Sequence, residues 1–163
     1  MPIEIRRARA SEARPIGILF RDSVRTISRR DYSQAQVEAW APETVDLEHW
    51  VARIRQIYFI VALLDGEIAG FAGLHDADHL DLMYVGKDHQ NRGVASALLD
   101  DIEREARSRG AGRLTTEASL TARPFMERRG FRIVRQQEVA HNGQTFINFV
   151  MEKALVAAAA AES

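Results

Sequence analysis

Residues 85–96 read Val-Gly-Lys-Asp-His-Gln-Asn-Arg-Gly-Val-Ala-Ser, a glycine-punctuated link running from a β-rich apolar segment straight into a helical pattern. Strand, loop and helix in that order make the chain an α/β protein whose helix start lies at the end of a strand. A helix start leaves about four backbone N–H groups without acceptors and carries roughly half a unit of positive charge. The small-residue entry at Gly93, Val94, Ala95 and Ser96 can therefore wrap a pyrophosphate with main-chain donors, and Gly93 lets the backbone come close. The stretch is neither a Walker A loop, since no Gly-Lys-Ser/Thr follows, nor the dinucleotide Gly-x-Gly-x-x-Gly pattern.

The surrounding periodicity supplies the other elements. Ile3, Ile5 and the arginines after them read as an edge strand, and 14–26 as a helix with Ile16, Leu19, Phe20, Val24 and Ile27 at helical spacing. Ser33 and Gln36 form a capping box for a short helix that Pro42 interrupts, and 46–56 reads as another helix. The β-rich runs 57–64 and 67–75 flank Asp65-Gly66, a hairpin turn, and 79–85 is the strand entering the glycine loop. From 93 to 109, Val94, Leu98, Ile102 and Ala106 step by four, with Asp100/Arg104 and Glu103/Arg107 expected as outer i, i+4 pairs and Gly110 as the C-cap. A strand at 114–118, a helix at 122–129 ended by Gly130, and a hairpin of 131–139 with 145–151 through Asn142-Gly143 complete the chain. The expectation is one domain over 1–155, a mixed twisted sheet of about six to seven strands with helices on both faces, and an Ala-rich tail at 156–163 that frays.

At 163 residues, one core suffices. The absence of cysteine excludes a disulfide framework, a thiolate zinc site and a cysteine nucleophile, and fits a cytoplasmic protein. No apolar run approaches the ~20 residues of a membrane span, and a net charge of −1 gives no reason to bind nucleic acid. His49, His75, His89 and His141 lack metal-ligand spacing, so no metal site is assigned. Charge is uneven: residues 1–30 hold eight arginines, whereas 31–50 hold five acids and no Lys or Arg. Those acids are either solvated helix faces or a wall that attracts a cationic acceptor.

Gln90-x-x-Gly93-x-Ala95 matches Gln/Arg-x-x-Gly-x-Gly/Ala, the acyl-coenzyme A signature of the GNAT N-acetyltransferase superfamily, which the chain resembles over roughly residues 3–153. The strand-like segment 79–85 lies upstream, and 113–131, with its closing Gly-Phe, looks like the superfamily's later strand and helix. Within the superfamily, Leu-Thr-Thr-Glu-Ala-Ser followed by Ala-Arg-Pro-Phe resembles the YafP-like members. The resemblance implies a GNAT-like fold and acetyl-coenzyme A as co-substrate. Main-chain contacts to pantetheine would come from Met83, Tyr84 and Val85, and phosphate contacts from Gln90, Asn91, Arg92, Gly93, Val94, Ala95 and Ser96. Ser119 stands where members commonly have a coenzyme A-binding Asn, Phe125 presses on the cofactor arm, and Met126 replaces the Tyr that protonates the leaving thiolate. Met126 cannot donate a proton, so Tyr32, Tyr58, Tyr84 or a water would have to.

An alkylammonium of pKa ~10.4 is neutral in only about one molecule in 2,500 at pH 7, so an attacking amine needs a base or a proton wire. Strand period two puts His79, Asp81, Met83 and Val85 on one face and Leu80, Leu82 and Tyr84 on the other. By the resemblance, this strand lies beside the thioester, which makes Asp81 and His79 the candidate catalytic groups, with Glu117 on the next strand as another base. Local pairing of Asp81 and a strand-end role for His79 are the competing structural reading. Tyr32 and Trp40 fall where the superfamily builds its acceptor pocket. The implied function is direct acetyl transfer to an amine acceptor, a small molecule, with a protein amine or a non-catalytic coenzyme A-sensing module as alternatives and a homodimer left open.

Overall fold

The computed structural model describes residues 2–156, so 157–163 of the Ala-rich tail lie outside the described residues. Strands β1 (Ile3–Arg7), β2 (Tyr58–Leu64), β3 (Glu67–His75), β4 (His79–Val85), β5 (Arg113–Ser119), β6 (Arg132–His141) and β7 (Gln144–Ala154) form one sheet in the order β1-β2-β3-β4-β5-β7-β6. Every neighbouring pair is antiparallel except β4 with β5, which is parallel. Helices α1 (Ala13–Thr26), α2 (Gln34–Trp40) and α3 (Leu47–Gln56) precede β2, while α4 (Val94–Ser108) and α5 (Arg123–Arg128) flank β5. The expected mixed sheet is present.

Local chemistry accounts for most boundaries. Ser33 Oγ accepts the Gln36 N–H at 3.1 Å while the Gln36 side chain accepts the Ser33 N–H at 2.7 Å, the reciprocal cap read from the sequence. Asp46 caps α3 through the His49 N–H. Asp65-Gly66 and Asn142-Gly143 have positive φ at both residues, the geometry of a two-residue hairpin turn.

Two layers cover the sheet. On one face Leu98, Leu99, Ile102 and Ala106 of α4 pack with Ile60, Ala72 and Leu80 of the strands and Met126 of α5. On the other, Ile16 of α1 and Trp50 and Ile54 of α3 pack on Phe59, Val61 and Phe71. Coverage of both faces is why β2 and β3 are almost continuously buried rather than alternating. Gly70 lets α4 approach: a Cβ there would lie 2.8 Å from Val94 Cγ1 and 2.9 Å from the Tyr84 carbonyl oxygen.

The outer ion pairs expected on α4 are rearranged. Glu103 is buried and receives the Lys153 ammonium of β7 at 2.9 Å, with Arg107 only at 3.9 Å, while Asp100 pairs with Arg129 and Arg104 with Asp101. The helical spacing is correct; what it lacked was the position of β7 and of Arg129 over this face. A buried carboxylate pairs with whichever cation the tertiary fold brings close, because it must be compensated.

Tyr32 joins the helical layer to the far half of the sheet. Its hydroxyl donates to the Ile147 carbonyl at 2.6 Å and accepts the Leu120 N–H at 3.0 Å, and the ring is buried against Trp40 and Phe146. Tyr32→Phe leaves a carbonyl and an amide without partners and is expected to cost about 1–3 kcal/mol. A urea unfolding midpoint unchanged from wild type would contradict that tie.

Candidate active site

β4 and β5 are hydrogen-bonded partners only at His79–Thr115 and Leu80–Thr116, after which they diverge. Thr116 Oγ1 closes the last pair by donating to the Leu80 carbonyl at 2.9 Å. The gap widens into a cleft of about 970 Å³ between the strands, running from the start of α4 to the aromatic cluster near α2. His79, Asp81, Met83, Tyr84, Val85, Gln90, Asn91, Gly93, Val94, Ala95, Ser96, Ser119 and Phe125 all border it. Arg92, the remaining expected contact, is exposed and does not.

The phosphate-type end is built from backbone. Gly93 caps α4 with φ 82° and Asn91 has φ 61°, so the loop turns through two left-handed residues before the helix begins. No side chain caps this end, and the first helical bond is from Ala97 N–H to the Gly93 carbonyl. Among the described residues the N–H groups of Val94, Ala95 and Ser96 therefore find no acceptor, and they carry the positive end of the helix dipole. Gln90 is a brace: its side-chain amide donates to the Val85 and Gly86 carbonyls at 3.0 and 3.3 Å. Ser119 Oγ accepts the Ala122 N–H at 3.0 Å, which leaves its own proton free to donate.

The faces of β4 differ from the strict alternation expected. Leu74 pairs with Leu80 and Gly73 with Leu82, so Asp81 is the extra residue of a bulge. The bulge shifts parity by one. Leu80, Met83 and Val85 consequently share the α4 side, whereas Leu82 and Tyr84 pack toward α1 and α3. The Asp81 carboxylate forms an ion pair with the Arg53 guanidinium of α3. His79 is half-buried; its Nδ1 lies 2.9 Å from Thr115 Oγ1, and burial pushes its pKa below the ordinary histidine value. Glu117 receives the Gln137 side-chain amide at 3.0 Å.

The tyrosines separate by position. Tyr58 lies outside the cleft and gives its proton to Asp101 at 2.7 Å; burial is the main cause that pushes its phenol up to about 12, with that carboxylate adding to it. Tyr32 spends its proton on Ile147. Tyr84 borders the cleft, but burial pushes its phenol well above the ordinary value, making it a reluctant donor. Met126 is buried in the α4-side core. Trp40 and Tyr32 line the cleft as expected, whereas none of the five acids of residues 31–50 does. Asp46 caps α3, Glu38 receives Gln34 and Asp31 accepts from Thr121 beyond β5, so the acidic-wall expectation is corrected: no acid of this segment lines the cleft, and three of the five are spent on structural hydrogen bonds.

Residues 28–153 match the Acetyltransferase (GNAT) domain family. The chain belongs to the GNAT acetyltransferase family. It is 32% identical over 149 residues to the uncharacterized N-acetyltransferase YafP of Escherichia coli strain K12, covering 91% of this chain and 94% of YafP. A GCN5-related N-acetyltransferase of Rhodopseudomonas palustris superposes with a TM-score of 0.91 at 34% identity, covering 95% and 97% of the two chains. PaiA N-acetyltransferase of Thermoplasma acidophilum, solved in complex with coenzyme A, shares the fold at a TM-score of 0.76 and 20% identity, over 94% and 99%. This GNAT domain is an acetyltransferase, and no helix among its described residues is long and apolar enough to cross a membrane.

The bracing role of Gln90 gives a direct check on the loop. Gln90→Leu removes two hydrogen bonds to main-chain carbonyls, so amide exchange over residues 86–93 is expected to accelerate about tenfold with little change in global unfolding. Wild-type exchange rates in the variant would mean the loop is held by its turns alone.

Proposed function

We propose that this GNAT domain transfers an acetyl group from acetyl-coenzyme A directly to an amine, without an acyl-enzyme, and that the acceptor is a small molecule. The observation that carries the reading is the opening of β4 from β5 directly onto the bare N–H groups at the start of α4. Those donors suit a pyrophosphate. The main chain of Met83, Tyr84 and Val85, which lacks a β5 partner, suits the amides of a pantetheine arm added like a strand. Ser119 and Phe125 supply a hydrogen bond and an apolar wall. A thioester held there delivers an activated acetyl carbon, and with no cysteine in the chain the amine itself is the nucleophile. Tyr32, Trp40 and Phe146 line the cleft on the side away from α4, where an organic amine finds aromatic surface. The acceptor proton leaves through the His79 and Asp81 end of β4.

A buried Met126 leaves the departing thiolate without a side-chain acid at that position. A thiol of pKa near 8.5 needs little help and is protonated by water at modest cost. The same residue favours the second reading, an acyl-coenzyme A binding module without turnover. Thiol release from acetyl-coenzyme A, measured across an amine library, separates the two readings.

Gly93→Asp adds a side chain at φ 82° and a negative charge at the positive helix end. Coenzyme A affinity by calorimetry is expected to fall at least about tenfold while the variant stays folded; unchanged affinity would move the cofactor elsewhere. Met126→Leu conserves volume and removes only sulfur, so turnover is expected to stay within about threefold of wild type. A collapse of turnover with coenzyme A affinity intact would give Met126 a role beyond packing.

A further inference from the structure

Three groups near the parting of β4 and β5 have the chemistry of a base, and two of them are engaged. The Asp81 carboxylate is ion-paired with Arg53, and Glu117 holds the Gln137 amide on one of its oxygens. His79 differs. Thr115 Oγ1 has a single proton, which it donates to the Asp78 carbonyl at 3.2 Å. The arrangement that gives both threonine contacts a proton has Nδ1–H of His79 donating to the threonine oxygen across the 2.9 Å contact. That assignment leaves Nε2 unprotonated in the neutral ring. Nε2 has no partner among the described residues, and His79 borders the cleft. Thr115 stays in place independently of its hydroxyl, because its backbone N–H also donates to Asp78 O at 2.8 Å.

We propose that Thr115 is a positioning residue that locks His79 in its Nδ1–H form and so presents Nε2 as the base of the transfer. This rests on the acetyltransfer reading above. As the neutral acceptor amine bonds to the acetyl carbon, Nε2 takes one N–H proton; the C–S bond breaks, the departing thiolate takes a proton from water, and the imidazolium gives its proton up to solvent. The amide and free thiol are the products, and the ring is neutral again. The groups that set the charge of His79 are Glu117 on β5 and Asp78 before β4, which favour imidazolium, and His75 on β3, which opposes it; desolvation outweighs them and keeps the ring neutral near pH 7. Asp81, on the same strand, is balanced by Arg53 from α3. Glu117 lies on the Thr115 side of β5 by strand alternation, placed to stabilise the imidazolium when it forms.

The test uses ¹⁵N-histidine NMR of the full chain, with His79→Gln to assign the signal, alongside turnover. At neutral pH the wild-type ring is expected to show a protonated Nδ1 and a bare Nε2, and Thr115→Val to lose that preference. In Thr115→Val, kcat is expected to fall about tenfold or more with acetyl-coenzyme A affinity unchanged, and Thr115→Ser to recover to within about threefold. The acid limb of kcat/KM should lie below the ordinary histidine value in wild type and vanish in His79→Gln. A protonated Nε2 in the wild-type ring, wild-type kcat in Thr115→Val, or an acid limb that survives His79→Gln but is lost in Asp81→Asn would each overturn the assignment. Failure of the underlying reading is distinct: wild-type protein that releases no thiol from acetyl-coenzyme A with any amine sinks acetyl transfer itself and this base with it.

Discussion

The cleft exists because β4 and β5 share only two residue pairs. β5 satisfies its other edge along its whole length against β7, from Arg113–Ala154 to Ser119–Asn148, so it stays a full strand while releasing β4. On the β4 side the bulge at Asp81 bends and twists the strand just beyond the last pair, the usual consequence of setting two residues against one. α4, packed through Leu98, Leu99, Ile102 and Ala106, shares one core with Leu80 of β4 and Leu114 of β5 and so holds the two strands in place. At about 1.5–3 kcal/mol for each large apolar side chain fully buried, that packing outweighs the few strand hydrogen bonds forgone. One separation thereby yields a bare strand edge, a helix start aimed at its end, and a path to the opposite side of the sheet.

The polar groups around the gap divide by what holds them. Gln90 and Ser119 spend hydrogen bonds on the loop and on the approach to α5, and keep the main-chain donors oriented. Asp81 and Glu117 are carboxylates with partners from α3 and β6, whereas His79 is held at one nitrogen only. A site of this kind derives its directionality from these second contacts, since each fixes which lone pair stays open. In the proposed transfer a buried Met126 is tolerable, since the demanding proton step lies on the amine and a thiolate is a good leaving group.

Much of the fold was legible because its signals are local. The Ser33/Gln36 box, the Asp46 cap, the Asp65-Gly66 and Asn142-Gly143 turns and the step-of-four stripe of α4 each act over a few residues, where backbone geometry and side-chain hydrogen bonds decide alone. The cleft residues within 79–96 were legible for the same reason, since the strand–loop–helix order brings them to one place; Arg92 is exposed and outside the lining. The face of each β4 residue was not legible. A bulge is a property of the pairing with β3, and one unpaired residue reverses the parity of every position on one side of it.

By itself, then, the sequence determined the elements, the glycine-led start of α4 and the absence of a thiol nucleophile, all of which depend on residue identity and short spacing. Only the tertiary structure decided the partners of the charged and ionisable groups: Arg53 for Asp81, Lys153 for Glu103, Thr115 for His79. Those pairs are separated by 28, 50 and 36 positions along the chain. No periodicity spans such distances. A half-buried charge or imidazole takes its partner from whatever side chain the folded layers bring within about 3 Å, and that choice is made by packing.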